Sequence, residues 1–142
     1  MRGCGLRRHS TLPFEAEKSP GVEQARRVMS QTGVDGVLIG RAALGAPWLP
    51  GDIAEALASG RPPRIRSTVE VLRIVGRHVV HMHDFYGEDQ GVRIARKHVK
   101  AYLQRLGIDA AQIRAFNSCA TQNGQHDWIA ALESAELHLR AA

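Results

Sequence analysis

The sequence predicts an α/β unit followed by an all-α helical bundle, and a few observations carry that reading. A short apolar run, Val37-Leu38-Ile39, is bracketed by Gly36 and Gly40 in the pattern of a strand buried on both faces of a parallel sheet. A helical pattern from Ser19 to Gly33 leads into it, as the helix of a βαβ unit would. Beyond Pro62-Pro63 no strand signal recurs, and apolar residues repeat only at helical spacing. The expected organisation is a leader over residues 1–18, an α/β part over 19–60, a linker over 61–66 and a helical domain over 67–142.

In chain order, residues 1–18 show neither helical nor strand periodicity, carry a basic patch at Arg7, Arg8 and His9, and read as a disordered leader. Ser19 suits an N-cap and Pro20 the first helical position; Val22, Ala25, Val28 and Met29 line one face, and Gly33 ends the helix. After the apolar run, Gly40 lets backbone N–H groups approach a ligand and Arg41 offers a guanidinium that holds an anion bidentately. The small residues Ala42, Ala43, Gly45 and Ala46 then complete a phosphate-type cradle before Pro47 and Trp48. On spacing alone the same residues also describe a strand end with a surface arginine. Asp52 is expected to cap a short helix, Ile53 to Ser59, stopped by Gly60. A single buried strand leaves its N–H and C=O groups unpaired, so the expected partner is a barrel portion outside this sequence or a second copy of the chain.

In the helical domain, Ser67-Thr68-Val69-Glu70 has capping-box spacing, and Val69, Leu72, Val75, Val79 and Met82 follow at helical intervals up to Phe85, with Gly87 as the stop. A second helix is expected from Gln90 to Leu106, a short one reaching Phe116 that Asp109 and Gln112 open with capping-box spacing, and a last one from Trp128 to Leu139 with Ile129, Leu132 and Leu139 inward. The second helix is the informative one. Val92, Ala95, Val99, Tyr102, Leu103 and Leu106 fall on one face, while Arg93, Arg96, Lys97 and Lys100 gather on the next with no acidic residue among them. Such a ridge fits a polyanion such as nucleic acid, and equally a solvated helix face.

Composition narrows the remaining classes. A formal charge of +5, from 19 Lys and Arg against 14 Asp and Glu, favours a polyanionic partner. The cysteines, Cys4 and Cys119, lie far apart and outside any CxxC spacing, so neither zinc nor a disulfide framework is indicated, and a reducing cytoplasm fits. No apolar run approaches the ~18 residues of a membrane span. His78, His81 and His83 share one helix without HExxH-like spacing, so no metal site is expected. Cys4 has no histidine or oxyanion donor placed to activate it.

Two strings, GVDGVLIGRAALGAPWLPGDI and HDFYGEDQGVRIARKHVKAYL, closely resemble segments of the bacterial tRNA-dihydrouridine synthases, particularly the B type, in the same order. The resemblance covers Ser19 to about Leu139. It implies that residues 19–60 are the last αβ unit of a TIM-type flavin-binding barrel, and that 67–142 form the tRNA-binding helical domain. A whole barrel takes about 250 residues, so only a remnant of it is expected within 142. By the same resemblance Gly40 and Arg41 contact the phosphate of FMN, Arg96, Lys97 and His98 grip tRNA, and Arg93 and Lys100 extend that surface. The implied reaction is reduction of a tRNA uridine by FMN, with NADPH as reductant. Its catalytic cysteine and a flavin-contacting lysine match no residue here, so a C-terminal portion inactive alone is expected. The sequence also departs from the family: Phe14 to Lys18 stand where it has Asn-Gly-Asp before the Ser-Pro, and Ala101 stands where it has tryptophan before Tyr102. Alternatives are a non-catalytic RNA-binding helical module, and another barrel-derived flavin protein using the Gly40-Arg41 cradle.

Overall fold

Helices account for all the regular structure in the computed structural model, which describes residues 21–141. The leader, Cys4 and the Ser19-Pro20 start lie outside the described residues. Helix α1 (Val22–Thr32) opens with Gly21 as N-cap and ends at Gly33, whose N–H donates to the Met29 carbonyl at 2.9 Å. It packs on α2 (Leu49–Ser59), where Ile53 and Ala56 are buried. Helix α2 starts earlier than Asp52 because Pro50 suits a first helical turn. Asp52 is therefore not a cap, and its carboxylate serves Arg66 instead.

The segment expected as a strand is a correction. Val37, Leu38 and Ile39 form no strand, and no strand occurs among the described residues, so the α/β expectation gives way to an all-helical architecture there. Strand structure is a property of a pair, and no segment among the described residues pairs with this one to form a ladder. Leu38 is accordingly 96% exposed.

Helix α3 (Thr68–Arg105) is a hairpin of two long arms folded back at Gly87, whose φ of 74° and ψ of −178° belong to a backbone region that glycine alone populates readily. The Ser67–Glu70 capping box is formed in both directions: Glu70 N–H donates to Ser67 Oγ at 3.3 Å, and Ser67 N–H to Glu70 Oε2 at 2.8 Å. Near the fold a Cβ at Gly91 would sit 3.0 Å from His83 Cα, so the arms touch backbone to backbone. Helix α4 (Ala110–Ser118) is capped by Asp109, which accepts from Ala111 and Gln112 N–H groups. Helix α5 (Gln122–Ala141) begins six residues before the expected Trp128, because Thr121 Oγ1 accepts from Gly124 N–H and starts the helix there. Ile129 and Leu132 point inward as expected; the Leu139 side chain lies outside the described residues.

The core gathers the two arms of α3 with α4 and α5. Leu72, Val75 and Val79 from the first arm meet Ala95, Val99, Tyr102 and Leu103 from the second, with Phe116 of α4 and Ile129 of α5. Phe116 and Trp128 stack edge to face at 5.3 Å. Arg73 of α3 pairs with Glu133 of α5 at 2.8 Å.

Candidate nucleic-acid interface

The second arm of α3 presents the basic ridge, and the rest of the bundle holds that arm by its opposite face. Val92, Ala95, Val99, Tyr102 and Leu103 are buried, which fixes the arm's rotation and turns Arg93, Lys97 and Lys100 outward. Those three are exposed and make no ion pair among the described residues. From Arg93 to Lys100 the helix rises about 10 Å, and this uncompensated positive surface is suited to a phosphate backbone.

The other two expected contacts turn inward. Arg96 is half-buried and donates from Nη2 to the Cys119 carbonyl at 3.0 Å, just past the end of α4. Its Nε is buried with no partner among the described residues, as is Asn117 Oδ1. His98 lies between the arms, its ring 5.4 Å from that of His78, and His78 Nδ1 sits 2.9 Å from the Tyr102 hydroxyl. Burial, and secondarily Lys97, hold the His98 pKa below the usual histidine value, so its ring is neutral at pH 7. Burial likewise lowers His78, reinforced by His98 and His81, and pushes Tyr102 up to about 12.

The Gly40-Arg41 turn is docked on this same arm. Gly40 precedes a short 3-10 turn, Arg41–Ala43; the Arg41 side chain is exposed, and a Cβ at Gly40 would meet nothing. Farther along, Gly45 has φ 71° and lies so near the arm that a Cβ would fall 2.5 Å from the Ala101 carbonyl oxygen. Arg105 donates to the Ala42 carbonyl at 3.0 Å. Trp48 packs against Tyr102, with ring centres 6.3 Å apart, and the Arg66 guanidinium lies 5.0 Å over its ring.

Arg66 also meets both oxygens of Asp52, at 2.6 and 2.9 Å, in a pair mostly hidden from solvent. That hydrogen bond raises the Arg66 pKa further. Gly45 and Arg105 thus join the loop to the basic arm, and the Arg66–Asp52 pair ties α2 to the segment that leads into the first arm; sequence reading placed Gly45 only in the phosphate-type cradle and singled out neither arginine. For Gly45 a signal existed, a glycine among alanines beside an aromatic; the two arginines reach partners far away in sequence.

Near the hairpin tip, His83 is buried in a polar relay that joins three helical pieces. Gln125 Nε2 donates to the Val92 carbonyl at 3.0 Å, which leaves Gln125 Oε1 to accept from His83 Nε2–H at 2.9 Å. His83 Nδ1 then accepts from His126 Nε2–H at 3.1 Å. Among the described residues no group of His, Cys, Asp and Glu side chains is placed to hold a metal ion, and no helix is long and apolar enough to cross a membrane.

Comparison with known proteins bears on this arrangement as a whole. A family model described as Dihydrouridine synthase (Dus) matches residues 19–138. The chain is similar to tRNA-dihydrouridine synthase B of Pseudomonas aeruginosa, with 50% identity over 84 residues, 59% of this chain and 25% of that protein. It is similar to the proteins of the same name from Proteus vulgaris, 43% identical over 95 residues, and Salmonella typhimurium, 44% over 95; each match covers 67% of this chain. These matches span 29% and 30% of the two relatives, so the chain corresponds to less than a third of their length. The family match takes in both the loop and the basic arm, and the chain belongs to the dihydrouridine synthase family.

Proposed function

We propose that this chain provides the tRNA-engaging C-terminal portion of a tRNA-dihydrouridine synthase of the B type, with residues 19–60 as the edge of its flavin barrel and 67–142 as the tRNA-binding domain. The observation that carries the reading is the exposed, unpaired row Arg93, Lys97 and Lys100 on an arm whose other face is locked into the bundle. Because the arm's rotation is fixed, the three cations share one side of a held helix, and only their side-chain rotamers have to be ordered when they meet a phosphate backbone.

Gly40 and Arg41 fit one edge of an FMN phosphate seat. The open space at Gly40 admits a ligand to the backbone, and Arg41 has no carboxylate partner among the described residues. When bound, the flavin supplies the hydride that reduces the uridine double bond, drawn from NADPH. The chain's own contribution is to hold that phosphate edge at a fixed distance from the RNA-bearing arm, through the close approach of Gly45 and the Arg105 bond to Ala42. No residue here is proposed to protonate the substrate, so catalysis requires the remainder of a barrel.

The test is a graft. The region matched in the Pseudomonas aeruginosa relative is replaced by the corresponding residues of this chain, and dihydrouridine formation in tRNA is measured. The expected result is an active chimaera that loses activity when Lys97 and Lys100 are changed to glutamate. A folded, flavin-loaded chimaera that forms no dihydrouridine, or one indifferent to those charge reversals, overturns the proposal.

A further inference from the structure

The basic motif Arg96-Lys97-His98 divides into one residue facing out and two facing in. We propose that Arg96 is a positioning residue: it latches the turn between α4 and α5 to the basic arm, while Arg93, Lys97 and Lys100 take the phosphates. The inference rests on the tRNA-engaging reading above and assigns roles within that same surface.

Arg96 Nη2 donates to the Cys119 carbonyl, the acceptor left over where α4 ends. A charged donor on a backbone carbonyl is among the stronger hydrogen bonds. Arg96 Nε is buried, so the guanidinium cannot swing out to a phosphate without breaking the latch and rearranging its surroundings. Helix α5 starts only three residues beyond Cys119, and its Gln125 holds the Val92 carbonyl of the same arm. The Arg96 bond and the Gln125 bond therefore grip the basic arm four residues apart, about one helical turn. Between and beside those grips stand Arg93 and Lys97, whose outward direction depends on the arm keeping its rotation.

The experiment uses the full chain and measures tRNA affinity across a salt series, together with amide exchange at residues 122–125. Each phosphate-bound cation contributes about 0.9 to the slope of log affinity against log salt. Lys97→Gln is expected to reduce the slope by about that amount and to leave exchange unchanged. Arg96→Gln is expected to leave the slope unchanged while exchange at the start of α5 accelerates about tenfold. Arg96→Lys keeps the charge but not the planar donor fork, and is expected to behave as Arg96→Gln does in exchange.

A loss of about 0.9 in slope for Arg96→Gln, restored by Arg96→Lys with exchange unaltered, overturns the assignment. If Arg96→Gln does not fold, the lysine variant decides alone: wild-type exchange overturns the latch, and accelerated exchange supports it. A wild-type chain with no salt-dependent tRNA binding overturns the tRNA-engaging reading itself, while the exchange measurement still reads the latch.

Discussion

Replacing Gly45 by alanine tests whether the Gly40-Arg41 loop is welded to the basic arm. At φ 71° an L side chain costs about 1–2 kcal/mol. The added Cβ would also stand 2.5 Å from the Ala101 carbonyl oxygen, a backbone atom that cannot turn aside. Overpacking of this kind costs a further ~1–3 kcal/mol, so the loop should lose about 2–5 kcal/mol of docking free energy. Gly36→Ala is the matched control, because Gly36 is not among the glycines with positive φ and its Cβ would meet nothing; its effect should stay within about 0.5 kcal/mol. The assay is urea unfolding followed by Trp48 fluorescence in a Trp128→Phe background, since Trp48 sits between Tyr102 and Arg66 at the docking surface. With a urea slope of about 2 kcal/mol per molar, the Trp48 midpoint should fall by about 1–2.5 M. Equal midpoints for Gly45→Ala and Gly36→Ala would refute the close approach from which the coupling is argued.

Further changes test the bundle. Phe116→Ala removes a fully buried ring and should cost about 3–5 kcal/mol by thermal or urea unfolding. Ser67→Ala should cost about 1 kcal/mol by opening the capping box. Hydrogen bonds from Ser67 lower the Glu70 pKa below its ordinary 4.5, so the cap's contribution is present above that pH and fades as pH falls through the lower folded value; Glu70→Gln should remove this acid-side slope. Burial lowers His78, His98 and His126, so the fold binds fewer protons than the unfolded chain and should lose stability as pH drops below 6.5. Tyr102 has the opposite sign: raised from 10.0 to about 12, it contributes stability that is whole below pH 10 and declines above, and Tyr102→Phe should flatten that alkaline decline.

What was legible in the sequence is local, and what was missed depends on contacts between distant residues. The capping box at Ser67, the break at Gly87 and the cap at Asp109 each follow from a few adjacent residues, and each is present. The inward face of the basic arm follows from helical periodicity alone. The apolar run Val37 to Ile39 misled because a strand needs a neighbour that no local pattern supplies, and here the run stays irregular. Asp52 has good capping chemistry but is claimed by Arg66, fourteen residues on. Arg96 and Lys97 are adjacent in sequence and equally cationic, yet one meets the Cys119 carbonyl and the other meets solvent. Charge type is written in the chain, whereas the direction of a side chain is set by what packs beside it.

The most direct test of the account is the salt dependence of tRNA binding by the chain and by a variant with Arg93, Lys97 and Lys100 all changed to glutamine. At about 0.9 per cation, the account predicts that the variant loses between about 2 and 3 from the slope, with the bundle still folded by circular dichroism. A folded variant that keeps the wild-type slope would show that the ridge does not meet the RNA, and would contradict the account.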